Sequence, residues 1–271
     1  MLENPRSPRV RSVARLAKRR VRDETGLFLL EGPQAVREAL TYRPHGIVEL
    51  FATPTAAEKH TDLGHHAADA GIELTYTTDH VLAAMADTVT PQGVLAVARQ
   101  FPVRVADVLA ASPRLLAVCE QVRDPGNLGT IIRAADAAGA DAVILTGRTV
   151  DPYNPKVVRS TTGSLFHVPI AVGGELADVT AAARAAGLWI VAADVKGDDL
   201  LAARESGALA RRTAWLFGNE ARGLDDDALP LADAALRLPI YGQAESLNLA
   251  TAASVCLYES AFAHRASVTD R

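Results

Sequence analysis

A chain of 271 residues, 49% hydrophobic and 22% charged, has room for about two domains and a sizeable core. No apolar run reaches the roughly 18 residues that cross a bilayer, and no apolar region follows the basic N-terminus as in a secretory signal. The expected location is therefore the cytoplasm, with no membrane partner. The net charge of −4 argues weakly against nucleic acid, yet Arg6, Arg9, Arg11, Arg15, Lys18, Arg19, Arg20 and Arg22 crowd into residues 1–22. Two readings of that run stand, a solvated tail and a set of phosphate contacts.

Residues 27–98 alternate strand-like and helix-like segments: LFLLEG, PQAVREAL, GIVELFAT, a helical stretch over 55–70, IELTYT, DHVLAAMA and GVLAVAR. This predicts a small α/β unit, with Gly32-Pro33 turning the chain from strand to helix and Thr90-Pro91-Gln92-Gly93 turning it into the last strand. A linker with Pro102 and Pro113 follows, around an ambiguous helical piece at 104–111. The expected division is a basic arm over 1–22, a first domain over 23–104 and a second over 105–271.

In the second domain RLLAVCE reads as a buried strand, GNLGTIIRAADAAGA as a helix and DAVILTG as the next strand, which demands a parallel pair. Leu128, Ile131, Ile132, Ala135 and Ala138 share one helix face, so Arg133 points away from the sheet. Helical side chains lean toward the N-terminus, which lays Arg133 over Gly129 and within reach of Asn127 and the helix start. Arg123, Asn127 and Arg133 together would suit a phosphate; a solvated surface Arg133 is the alternative. Lys156, Arg159, Ser160, Thr161, Thr162 and Ser164 form a polar cluster read either as substrate-facing or as a solvated helix end. ELADVTAAARAAG and LWIVAADV continue the helix–strand alternation, and 200–209 is weakly helical.

The stretch Trp215–Glu259 combines a strand ending in Gly-Asn-Glu, a second ending in Leu-Pro-Ile, and Glu-Ser-Leu-Asn opening a long helix. Small and amide-bearing residues at strand ends predict a ligand site built mainly from backbone groups. There is no Gly-x-Gly-x-x-Gly after a strand, no Walker-type phosphate loop and no His-Glu-x-x-His, which disfavours a nicotinamide or nucleoside-triphosphate enzyme. Cys119 and Cys256 sit in apolar segments and the seven histidines are scattered, so neither a disulfide nor a metal site is expected.

Three strings in fixed order, GNLGTIIRAADAAGADAVIL (126–145), LFGNEARGL (216–224) and LPIYGQAESLNLATAASVCLYE (238–259), closely resemble the three motifs of the SpoU/TrmH branch of the SPOUT methyltransferases. The preceding unit resembles, on pattern and position, the ribosomal-protein-like RNA-binding domain found ahead of that catalytic domain. The resemblance implies an α/β fold with a parallel sheet and a deep trefoil knot. It implies 2′-O-ribose methylation of RNA from S-adenosylmethionine, with ribosomal RNA favoured over transfer RNA; a non-catalytic RNA-binding protein with a retained knot domain is the alternative.

Residue by residue, the resemblance marks Asn127 and Arg133 in the first motif, Asn219 and Glu220 in the second, and Ser246 and Asn248 in the third. Arg133, Asn127, Glu220, Ser246 and Asn248 are the implied catalytic set. Phe217, Gly218, Asn219, Leu238, Ile240, Ser246 and Leu247 are implied to hold the cofactor. Since a guanidinium with a pKa above about 12 rarely gives up its proton, Arg133 reads as a clamp on phosphate and developing alkoxide rather than a base. Glu220 reads either as a turn anchor or as a contact to the target ribose, and Ser246 as the helix cap. The last helix is apolar or small nearly all round, which with the resemblance implies a homodimer.

Overall fold

The computed structural model describes residues 1–269, with side chains through residue 266. Two compact units emerge: Met1–Phe101 with Asp151–His167, and Pro102–Val150 with Val168–Arg271. The chain thus leaves the second unit after Val150 and re-enters it at Val168, a return not contained in the expected division into 1–22, 23–104 and 105–271.

The first unit opens with two short helices, α1 (Pro8–Ala14) and α2 (Arg19–Thr25). It continues through β1 (Leu27–Glu31), α3 (Pro33–Tyr42), β2 (Ile47–Ala52), α4 (Pro54–Lys59), α5 (Thr61–Asp69), β3 (Leu74–Tyr76), α6 (Asp79–Met85) and β4 (Val94–Arg99). The strands pair in the order β1-β4-β2-β3, antiparallel except for β2 with β3. Gly32 takes a φ of 91° and Pro33 starts α3, as the Gly-Pro step predicts.

The basic N-terminal run is helical and part of this unit's core, not an appended arm. Ser7 caps α1 by accepting from the Val10 N–H, and Val10, Val13 and Leu16 pack with Phe51, Val81, Leu82 and Met85. Arg22 is 1% exposed: its Nε and Nη2 donate to Asp151 Oδ2 at 2.7 and 2.6 Å, and Nη1 donates to the carbonyls of Leu16 and Ala17. A buried guanidinium persists only when it is well partnered, and here each of its three nitrogens has an acceptor. That pair anchors the returning segment, whose helix α9 (Pro155–Thr161) brings Arg159 to Glu31 and Asp87. Arg159 is therefore an ion-paired residue of the first unit, and Thr161 and Ser164 are buried, while Lys156 and the C-cap Thr162 are exposed, so the cluster is a solvated helix end only in part.

The second unit contains α7 (Val105–Ala110), β5 (Leu115–Glu120), α8 (Pro125–Ala138), β6 (Ala142–Thr146), β7 (Ile170–Val172), α10 (Leu176–Ala185), β8 (Trp189–Asp199), α11 (Leu200–Glu205), β9 (Thr213–Phe217), β10 (Ala234–Arg237) and α12 (Leu249–Thr269). All six strands run parallel, in the order β10-β8-β9-β5-β6-β7. Strand alternation turns Leu116, Val118, Ile144, Ile190, Ala214 and Leu216 to one face, against Val179 and Ala183 of α10. The other face carries Trp215, whose Nε1 donates to Ser260 Oγ of α12 at 2.9 Å. From β5 the chain moves outward to β6 and β7, then returns on the far side to β8 before β9 fills the gap. That reversal is a topological switch point at the C-terminal ends of β5 and β9, where open parallel sheets hold ligands.

Candidate cofactor and substrate site

Three segments meet at the switch point: the turn 121–124 between β5 and α8, the turn 218–224 after β9, and residues 238–248 leading into α12. In the first, Gln121 adopts a φ of 54°, a strained left-handed conformation for a residue with a side chain. Its carbonyl accepts from Asn219 Nδ2 at 3.0 Å. Asp124 caps α8 by accepting from the Asn127 N–H at 2.8 Å, with Pro125 following as the first helical residue.

The second turn is closed by reciprocal hydrogen bonds of 2.8 Å between the backbones of Asn219 and Gly223. Gly218 is required there, because a Cβ would overlap the Gly223 carbonyl and Leu224 nitrogen. The exposed Glu220 then reaches across to the first turn. Its carboxylate accepts from the backbone N–H groups of Asp124 (2.9 Å) and Arg123 (3.2 Å), from Asn127 Nδ2 (3.4 Å) and from Asn219 Nδ2 (3.3 Å).

In the third segment the helix cap is Asn248, not Ser246. Asn248 Oδ1 accepts from the N–H groups of Ala250 (2.9 Å) and Thr251 (3.2 Å), and its carbonyl accepts from Ala252. Asn248 Nδ2 also donates to Asn127 Oδ1 at 2.9 Å. A continuous chain Asn248–Asn127–Glu220 thus ties all three segments together. Ser246 is exposed and, among the described residues, makes no side-chain hydrogen bond.

The remaining expected residues fall in two groups. Phe217 is fully buried and stacked beside Trp215, so it offers a ligand backbone only. Leu238, Ile240 and Leu247 lie in a segment, 238–247, that makes no backbone–backbone hydrogen bond among the described residues. Ile240, Tyr241 and Leu247 are 37, 86 and 41% exposed. Open backbone donors and acceptors beside exposed apolar side chains fit a ligand with a flat heteroaromatic ring and a polar tail. Arg133 is exposed and has no hydrogen bond or ion pair among the described residues. The expected contact from Arg133 to Asn127 is not formed, since the Asn127 amide is engaged by Glu220 and Asn248.

Beneath the site Cys119 is fully buried, and burial together with the Glu220 charge pushes its thiol up to about 12. Sequence reasoning missed Gln121 and Asp124, although a run of polar residues directly after an apolar strand was the available signal.

A parallel α/β sheet with backbone-lined turns at its switch point defines an enzyme that binds a small cofactor. The chain belongs to the SpoU rRNA methylase family, whose model matches residues 114–258, and residues 7–96 match the MRM3-like substrate binding domain. It is accordingly an S-adenosylmethionine-dependent RNA methyltransferase. The chain is 34% identical over 257 residues to the Bacillus subtilis 23S rRNA (guanosine(2553)-2′-O)-methyltransferase RlmP, covering 95% of this chain and 97% of that one. It also resembles the AdoMet-bound rRNA methyltransferase from Sinorhizobium meliloti, with a TM-score of 0.80, 31% identity and 96% of each chain covered. The AdoMet complex of the SpoU methyltransferase AviRb from Streptomyces viridochromogenes gives a TM-score of 0.79 at 30% identity, covering 97% of this chain and 100% of that one.

Proposed function

We propose that this chain transfers the methyl group of S-adenosylmethionine to a ribose 2′-oxygen of ribosomal RNA, in the cytoplasm, as a homodimer with a knotted C-terminal domain. The observation that carries the site assignment is the hydrogen-bonded chain Asn248–Asn127–Glu220, which holds three loops around a segment of open backbone. Relatives that act on 23S rRNA at this level of identity support the choice of RNA.

When bound, S-adenosylmethionine would supply an electrophilic methyl: the ribose O–CH3 bond forms as the S–CH3 bond breaks, S-adenosylhomocysteine leaves, and the 2′-hydroxyl proton passes to solvent water, which reaches the exposed Arg133, Glu220 and Ser246. The backbone of Gly218, Asn219, Leu238, Ile240 and Leu247, with Phe217 contributing its main chain, would hold the cofactor, and Ser246 would contact it from the loop. Asn127 and Asn248, locked by each other and by Glu220, fix the loops so that the reacting oxygen meets the methyl in line. Arg133, exposed and unpaired among the described residues, clamps the target phosphate and stabilises the developing alkoxide.

Two surface features support the partners. Along the first two helices Arg9, Arg19 and Arg20 are ion-paired and Arg22 is buried, which leaves Arg6, Arg11, Arg15 and Lys18 exposed without ion pairs among the described residues. These four are the RNA-contacting cations. Replacing Arg11, Arg15 and Lys18 with alanine together should reduce the salt slope of RNA binding by about 3 and spare cofactor affinity, since none of the three is buried. Val255 and Phe262 of α12 are 38 and 53% exposed and Ile240, Tyr241 and Leu247 are also solvent-facing, apolar side chains of the kind that a subunit interface would cover. Light scattering after size exclusion should give twice the chain mass; a stable monomer at micromolar concentration contradicts the dimer.

Ribose-methylation mapping of RNA from cells with and without the gene tests the target. One site lost from ribosomal RNA is expected. Loss from transfer RNA alone would overturn the ribosomal assignment.

A further inference from the structure

A second polar cleft, of about 750 Å³, opens at the C-terminal ends of β5, β6 and β7, bordered by the 121–124 turn. Its floor is Glu120, the last residue of β5, which is 9% exposed and has no counterpart among the residues assigned above. Glu120 Oε2 accepts from Thr146 Oγ1 at 2.6 Å, while Oε1 has no hydrogen-bond partner among the described residues. Glu120 and Gly147 both line the cleft, and Oε1 is the Glu120 atom that lies nearest Gly147. Gly147, with a φ of 59°, stands against it; a Cβ there would overlap Glu120 Oε1. Gly173 and Gly174 continue a wall without side chains.

The chemistry of the lining narrows the occupant. Arg123 and Arg148 at the mouth are balanced by Glu175 and Asp178, and Glu120 adds a negative charge below. A phosphate is therefore disfavoured in the cleft. No group of three His, Cys, Asp or Glu among the described residues could hold a metal ion. A buried acceptor oxygen calls for a neutral planar ligand that presents N–H donors.

Resting on the RNA methyltransferase reading, we propose that this cleft takes the nucleobase of the target nucleotide and that Glu120 reads guanine by accepting from its Watson–Crick edge. Guanine alone presents two adjacent donors there, N1–H and the N2 amine. Uracil flanks its single N–H with carbonyl oxygens, and adenine and cytosine place a ring acceptor beside the amine, which would face the carboxylate. An extruded nucleotide would put its base in this cleft and its ribose across the 121–124 turn, beside Asn127 and Glu220.

The full-length protein, incubated with tritiated S-adenosylmethionine and ribosomal RNA from cells lacking the gene, tests this once the labelled nucleoside is identified. The expected nucleoside is guanosine. Glu120→Gln should bind the cofactor normally and lose at least about tenfold in kcat/KM, while on a target RNA carrying inosine, which lacks the N2 amine, the same substitution should cost less than about threefold. Labelled uridine, cytidine or adenosine would overturn the guanine assignment and leave the methyltransferase reading intact. Equal losses on guanosine and inosine, or no loss on guanosine, would also overturn it. If no RNA is methylated, the methyltransferase reading fails, and the cleft is judged by 5′-GMP: amide shifts at Gly147 and Gly173 with 5′-GMP but not 5′-UMP retain the base pocket, and their absence overturns it.

Discussion

Replacing Glu220 with alanine removes the acceptor that ties the turn 121–124 to the turn 218–224. Its carboxylate receives two backbone N–H groups and two side-chain amides, at 2.9 to 3.4 Å. A hydrogen bond to a charged group contributes about 1.5–3 kcal/mol when sheltered, but Glu220 is exposed and water competes for these donors. Allowing about 0.5 kcal/mol for each of the four gives a total near 2 kcal/mol. On the proposed reading, in which the closed turns hold the cofactor, this should weaken cofactor binding by about 30-fold and lower Tm by about 4–8 °C for a unit of this size. Glu220→Gln retains one acceptor oxygen and turns the other position into a donor facing Asn219 Nδ2 and the Arg123 N–H, so it should fall between wild type and alanine. Calorimetric titration with S-adenosylmethionine and a thermal melt read both quantities. If Glu220→Ala leaves cofactor affinity and Tm unchanged while abolishing turnover, Glu220 acts on the target ribose, and its anchoring role is refuted.

Three further outcomes follow from the geometry. Arg22→Ala leaves Asp151 buried without its partner and should cost about 3–5 kcal/mol, read as a fall in the melting temperature; the double change Arg22→Met with Asp151→Leu should recover most of it, and a double variant no more stable than the single one would contradict this account. Arg133→Lys supplies a point charge that cannot grip a phosphate bidentately, so turnover should drop at least about tenfold with cofactor affinity unchanged; full turnover would refute the clamp. With both thiols buried and their ionisation driven upward mainly by burial, Cys119 and Cys256 should resist a disulfide reagent at pH 8 until the protein unfolds, and rapid labelling of the native protein would show that the strand and helix beneath the site open.

The strands and helices of both units were legible because apolar alternation and turn residues act locally: Gly32-Pro33, the 90–93 turn and the α8 face all behave as their chemistry dictates. The site residues were legible as types, since amides and carboxylates at strand ends have no core role to play. Their partners were not. Ser246 and Asn248 are both good caps, and only the position of Leu249 as the first helical residue selects Asn248. Glu220 spends its acceptors on a turn roughly ninety residues upstream, and a contact at that separation leaves no mark in local pattern. The same holds for Arg22, one cation in a charged run, whose burial depends on Asp151 arriving from far along the chain. The return of residues 151–167 to the first unit was hidden for that reason. The expanded register of β8 against β10, where Ala235 opposes Ala192 but Leu236 opposes Asp198, was visible at most as the lone Gly197, which a Cβ would drive into the Ala235 backbone.

The central claim is that the loops joined by Asn127, Glu220 and Asn248 direct a methyl group onto a ribose oxygen. Nucleoside mass spectrometry of ribosomal RNA treated with the purified protein and methyl-labelled S-adenosylmethionine tests it most directly. A single 2′-O-methylnucleoside is predicted, with the label lost in Arg133→Ala. Label on a base, or none on any RNA, would contradict it.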